Sequence, residues 1–459
     1  MNGLCGETDE QRMATNYHFI SDLHLGGDGA LDECEFEAEL IALLRRLEAD
    51  AENAELIIAG DMFGLWETTY AEGPDKLHGI IAGHTELFLQ FQRTGRRVRI
   101  TAIPGNHDHE LIGDPEFANI LRVYNIHLEA RDHITREIDG RTIWIEHGNQ
   151  HDAYNRFDDF ENPACRPLGY YATSGIISGA SRRVKGRHEK WIKDIGSVYP
   201  RESVPHWLMS NYFYREMSLY IRVLAVPFLL FFSTSAIIVV AILLELAGVL
   251  PNGWLFSSFT RSLGAPGYVL DALFLINGVT VIAILLLSVP LLLVRRDIRN
   301  VLMRYGVDLS EALKEEKASH FAAAAERVFG MHPDVILFVF GHTHTADLHI
   351  HDGRALINTG AWLKQLTRVS SRFFMLPDVY RPSYELGYFH VRAEGPNLVI
   401  RHHRIPKAAP DDLSLLQRIS IFGRGPAPAA EIPEITLLPL RAPDTPEPDA
   451  NEDAPGDAE

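Results

Sequence analysis

Five short blocks of this 459-residue chain carry side chains that bind metal ions. They are SDLHLG with Asp22 and His24, AGDMF with Asp61, PGNHDHE with Asn106, His107 and Asp108, IEHGNQHD with His147, and FGHTH with His342 and His344. A single D-x-H or H-x-H pair says little, because loop histidines more often serve structure than ligation. Together the blocks supply carboxylate, imidazole and amide donors without sulfur. That set suits manganese, iron or zinc rather than copper or an iron–sulfur cluster. The candidate donors Asp22, His24, Asp61, Asn106, His147, His342 and His344 exceed what one ion needs, so two divalent ions are implied.

Such donors converge only if the elements before them are stiff and parallel. Each block directly follows an apolar run that reads as a strand: YHFI, ELIIAG, RVRITAI, TIWIEH and DVILFVF. Residues 35–49, 79–95 and 310–329 have helical periodicity, and ADLHIHD, RALINTG, GYFHVRA and LVIRHHRI extend the strand set. This alternation predicts a layered α/β domain.

The series of blocks resembles the calcineurin-like metallophosphoesterase family, whose pattern is DxH, GD, GNH followed by Asp or Glu, a lone His and GHxH. The resemblance spans roughly residues 16–152 and 333–404. It implies a four-layer αββα sandwich with a dinuclear metal centre, manganese favoured, at the strand ends. It further implies that Asp22, His24 and His344 hold one ion, that Asn106, His147 and His342 hold the other, and that Asp61 bridges them. His107, oriented by Asp108, would contact the phosphate and protonate the departing oxygen. GDMFGLW, GNHDHELIG and HGNQHDAYNRF are most similar to the branch that cleaves the pyrophosphate of UDP-2,3-diacylglucosamine, although this chain has His107 where that branch commonly has Arg. Trp66, His151 and Asp152 are candidate substrate contacts. His109 and His151 flank the metal blocks; His349, His351, His402 and His403 read as solvent-facing strand positions.

Two long apolar runs interrupt this domain. Residues 223–244 and 272–294 contain 22 and 23 residues without a charge. At about 1.5 Å per residue each reaches about 33 Å, enough for a hydrocarbon core of about 30 Å. They read as a transmembrane helical hairpin inserted in the sandwich. Arg215, Arg222, Arg295, Arg296 and Arg299 cluster outside the hairpin, and the connection between the runs holds only Arg261. The positive-inside rule places both termini and the catalytic domain at the cytoplasmic face of the inner membrane.

The expected divisions are residues 1–152 and 297–406 for the two parts of the metallophosphoesterase domain, 153–220 for a helical membrane-proximal cap, 221–296 for the hairpin and 407–459 for a disordered acidic tail. A net charge of -18 removes the electrostatic drive for nucleic-acid binding. Three widely spaced cysteines indicate neither a disulfide framework nor a thiolate cluster. The expected activity is therefore hydrolysis of phosphoester or pyrophosphate bonds in a lipid-linked or nucleotide-linked substrate, with the bilayer as partner. A tethered hydrolase of soluble nucleotides or phosphoproteins and a non-catalytic membrane scaffold are the alternatives.

Overall fold

Short strands set the frame, in sequence order β1 (Asn16–Ile20), β2 (Ala54–Ala59), β3 (Arg99–Ile103), β4 (Ile126–Leu128), β5 (His133–Ile138), β6 (Arg141–Glu146), β7 (Val335–Phe340), β8 (Asp347–His351), β9 (Arg354–Asn358), β10 (Lys364–Val369), β11 (Val379–Tyr384), β12 (Gly387–Glu394), β13 (Asn397–Arg404) and β14 (Ile435–Pro439). The computed structural model describes residues 16–28, 32, 34–50, 52–171, 173–174, 194–198, 203–223, 226, 229, 237, 239–240, 243–244, 246–249, 262–304, 318–373, 376–426 and 431–440. β2 (AELIIA) and β7 (VILFVF) are buried along their whole length, as parallel strands covered on both faces must be.

One sheet has the order β14-β13-β12-β1-β2-β3-β4, the second β5-β6-β7-β9-β8, and β10-β11 is a separate ribbon. The inner faces of the two large sheets share a core that includes Phe19, Ile57, Ile145, Leu337, Ile357 and Phe389. The opposite face of the first sheet packs against α1 (Glu37–Ala49), α2 (Pro74–Gly83), α3 (Thr85–Thr94) and α4 (Pro115–Val123). The opposite face of the second is covered by the helix Ala318–Met331 through Phe321, Ala325 and Val328. The layers are thus α, β, β, α, as expected.

Local chemistry explains the boundaries. The Asp114 carboxylate accepts from Glu116 N at the start of α4, with Pro115 in the first helical position. The single helix expected over 79–95 is broken at His84, where α2 gives way to α3.

Two expectations change here. The chain after residue 407 is not all tail: Ser414 and Gln417 form a reciprocal capping box on the helix Leu415–Ile421, and β14 pairs antiparallel with β13. Alternate burial of Thr436 and Leu438 carries β14, a period too short to stand out against its Pro- and acid-rich surroundings. Residues 441–459 lie outside the described residues.

The second change concerns the hairpin. Among the described residues no helix is long and apolar enough to cross a membrane. The first run, 223–244, falls largely outside the described residues. The second lies in a 40-residue helix, Ala265–Arg304, that contains Pro290. Several side chains of that helix are outside the described set, and many of the rest, Leu275, Val279, Leu286 and Leu293 among them, are apolar and exposed.

The insertion between β6 and β7 has defined ends. These strands are parallel neighbours, with Ile143 paired to Leu337, so the chain must recross the sheet between them. The helix Ala318–Met331 makes that return. Phe321, near its start, meets the His151 ring edge-on at 6.0 Å. The intervening segment therefore departs from and returns to the rim that carries His147.

Candidate metal centre

All five blocks reach one edge of the two sheets. Asp22 and His24 follow β1, Asp61 follows β2, Asn106, His107 and Asp108 follow β3, His147 follows β6, and His342 and His344 follow β7. Backbone bonds fasten the first two loops together: Asp22 N donates to Gly60 O (3.2 Å), while Leu23 N (2.9 Å) and His24 N (3.0 Å) donate to Asp61 O. Asp22, His24, Asp61, His342 and His344 have φ of 51°, 45°, 49°, 69° and 60°. Left-handed backbone at a residue other than glycine costs about 1–3 kcal/mol and persists where surrounding structure over-determines it. Five of the seven expected ligands carry that strain, whereas other described positive-φ residues, such as Asp139 and Asp352, sit in hairpin turns.

Two groups of donors result. Asp22, His24 and His344 form one; Asp61, His147 and His342 form the other. Within each group the ligand atoms lie within 4.8 Å of one another. His344 Nε2 is 3.3 Å from Asp22 Oδ1, and His147 Nε2 is 3.1 Å from Asp61 Oδ2. His24 Nε2 lies 3.6 Å from Asp61 Oδ2 and 3.8 Å from Asp22 Oδ1, joining the groups. Asn106 Oδ1 is 3.1 Å from His147 Nε2. The other His147 nitrogen, Nδ1, sits 2.9 Å from Ala59 O, which fixes the ring.

Charge explains how these groups coexist under burial. Burial alone would lower the His24 pKa, yet the carboxylates of Asp22, Asp61 and Glu67 raise it to about 9. Burial would raise Asp22 and Asp61, but the surrounding imidazoles hold both below the usual carboxylate range. Each stabilises its neighbours' charge. Asp22 Oδ1, His24 Nε2 and Asp61 Oδ2 are buried without a well-formed hydrogen bond. Buried polar atoms of that kind need a partner, and their convergence with O and N donors fits a pair of divalent ions.

Of the expected catalytic and substrate-contact residues, the structure brings His107 and Trp66 together: their rings lie 4.2 Å apart at 31°. Tyr170 meets Trp66 edge-on at 5.7 Å. Asp108 does not reach the His107 ring. Its carboxylate instead accepts from Gly105 N (2.7 Å) and Phe63 N (3.1 Å), which ties the GNH loop to the GD loop. Burial and the nearby Asp61 charge push Asp108 up to about 7 against those two bonds. The carboxylate beside His107 Nδ1 is Glu67, at 2.9 Å. No local pattern marked Glu67, since its role depends on the loop after Asp61 folding over the loop after β3. Asp152 Oδ2 lies 3.0 Å from His342 Nε2 and so belongs to the site edge. His151 is paired with Glu146 at 2.5 Å, one step outward. His109 stacks on Phe157 at 3.8 Å, away from the metal donors. His349 and His351 are exposed as expected, whereas His402 is buried against Phe389.

When bound, two divalent ions supply Lewis-acid stabilisation of the negative charge that builds on phosphoryl oxygens. The protein's part is positional. The Asp61 carbonyl, which accepts from Leu23 N and His24 N, and the Asp61 carboxylate, whose Oδ1 accepts from His107 N at 2.8 Å, tie the neighbouring loops together. Glu67 and Trp66 hold the His107 ring beside the metal donors, where it can exchange a proton with a substrate oxygen.

The calcineurin-like phosphoesterase family model matches residues 16–209. That match, with the donor groups, defines a metal-dependent phosphoester hydrolase. The matched stretch opens at β1, and the last donor block, with His342 and His344, lies beyond the matched residues. No curated protein matches the chain. Among solved structures, a single mutant of Vps29 from Entamoeba histolytica is similar at 8% identity and a TM-score of 0.26, covering 85% of this chain and 92% of that one. A conserved uncharacterized protein from Streptococcus pneumoniae, described as a predicted phosphoesterase, is similar at 7% identity and a TM-score of 0.25, covering 86% and 94%.

Proposed function

We propose that this chain hydrolyses a phosphoester or pyrophosphate bond of a lipid-linked or nucleotide-linked substrate at the cytoplasmic face of a membrane, using two manganese ions. In this reading Asp22, His24 and His344 hold one ion, Asn106, His147 and His342 hold the other, Asp61 bridges them, and His107 protonates the leaving oxygen. The observation that carries the reading is the convergence of the two buried donor groups beside the paired His107 and Glu67.

The lipid half rests on the path of the insertion. His151 and Phe321, which flank the insertion, meet at the rim that carries His147. An open groove of about 770 Å³ lies at the same rim, lined by Gln150, His151, Arg156, His320, Glu326 and Arg327. Arg156 and Arg327 suit the second anionic group of a pyrophosphate or of a phospholipid head. The exposed apolar side chains of Ala265–Arg304 would be stable in hydrocarbon, where water-exposed apolar surface of that extent would not.

The test compares full-length protein with Mn on a lipid pyrophosphate in mixed micelles and on the corresponding water-soluble head group. Turnover on the lipid should exceed that on the head group and fall as detergent dilutes the lipid at constant bulk concentration. Equal turnover on both, insensitive to dilution, would refute the lipid substrate and leave a hydrolase of soluble phosphates.

A further inference from the structure

A second cluster of ligating side chains lies behind the metal centre, on the helical layer. Cys34, Glu37 and His84 bring a thiol, a carboxylate and an imidazole within 4.8 Å of one another. Cys34 lies in the segment leading into α1, and Glu37 is the first residue of that helix. His84 sits at the break between α2 and α3 and is 5% exposed. Its Nδ1 is 2.9 Å from Glu37 Oε2, and its Nε2 is 3.2 Å from Asp32 Oδ2. The dinuclear centre has no sulfur donor; this one does.

We propose that Cys34, Glu37 and His84 bind one zinc ion, independently of the dinuclear centre. The three donor types are those zinc accepts, with a water in the fourth position. Asp32 would then accept the hydrogen bond from the other imidazole nitrogen, the outer carboxylate that orients a zinc-ligating histidine. Cys34 and Glu37 are half-buried, which leaves an entry path. The ion would pin the segment that follows His24 to the α2–α3 junction, a union otherwise held by the ion pairs to His84. It would also account for the interruption of one helical stretch by a buried polar histidine.

Cobalt(II) distinguishes the two sites, because only a thiolate ligand gives an intense near-ultraviolet charge-transfer band. Titration of full-length, metal-stripped protein should produce that band, saturating at one equivalent of thiolate-bound ion. Asp61→Asn and Cys165→Ser should retain it; Cys34→Ser and His84→Ala should abolish it. A second measurement needs no variant: with free zinc at ten times its Kd, alkylation of Cys34, followed by peptide mass spectrometry, should slow about tenfold. Absence of the band in the wild type, its survival in Cys34→Ser, or alkylation unaffected by zinc would overturn the assignment.

Discussion

At the scale of single residues, the centre depends on positions where no other side chain fits. Gly60 has φ of 91°, and a Cβ there would overlap the His147 ring. Gly60→Ala should therefore push His147 off its bond to Ala59 O and lower metal affinity by about 10–100-fold, the usual cost of disturbing a ligand's outer support. Metal titration by calorimetry checks this; unchanged affinity would mean that the loop has room the structure does not show. Glu67 makes a separate contribution. Glu67→Gln keeps the size of the side chain but removes the carboxylate charge beside His107 Nδ1, so kcat should fall by about 10–100-fold while metal content stays unchanged. His107→Ala should cost more, about 10²–10⁴-fold, the range for a lost general acid. Equal kcat in Glu67→Gln and wild type would remove the orienting role from Glu67.

At the scale of elements, the first sheet has its own pH response. His18 on β1 stacks on His390 of β12 with centroids 4.4 Å apart, and His390 in turn faces His403 of β13 at 6.2 Å. Burial, then repulsion from His390 and His403, lowers the His18 pKa to about 3; burial, then Arg392 and His403, lowers His390 to about 4. Both folded values lie below the ordinary 6.5, so the unfolded chain takes up protons first as pH falls. These histidines thus leave stability intact above pH about 6.5 and remove it progressively as pH drops toward about 4. In urea unfolding at pH 7, 6 and 5, His18→Gln should lose less stability per pH unit than wild type, by up to about 1.4 kcal/mol per unit. Parallel pH dependence in the two proteins would contradict the shift. The strands themselves were legible in sequence wherever an apolar run ends in a polar ligand, as in ELIIAGD and VILFVFGH. β4, β5, β10 and β11 escaped notice because they are short or amphipathic at edges. Glu67 was not legible, and neither was the break at His84, because both follow from contacts between loops far apart in sequence.

At the scale of the whole molecule, the fold divides one site between two stretches of chain. β6 and β7 are parallel neighbours although 188 residues lie between Glu146 and Val335, and the return helix brings the second stretch back to the same rim. Asp22 and His344 meet at 3.3 Å only because that crossover closes. Sequence blocks in the right order pointed to donors that converge in the fold; they could not disclose that β14 completes the first sheet, or how the insertion joins the rim. The most direct test is an anomalous-scattering map of crystals grown with Mn, for wild type and Asp61→Asn. Two manganese peaks should flank Asp61, one against Asp22, His24 and His344 and the other against Asn106, His147 and His342. Asp61→Asn should lose at least one peak together with hydrolysis. A single peak, peaks away from these residues, or full hydrolysis in Asp61→Asn would contradict the dinuclear centre.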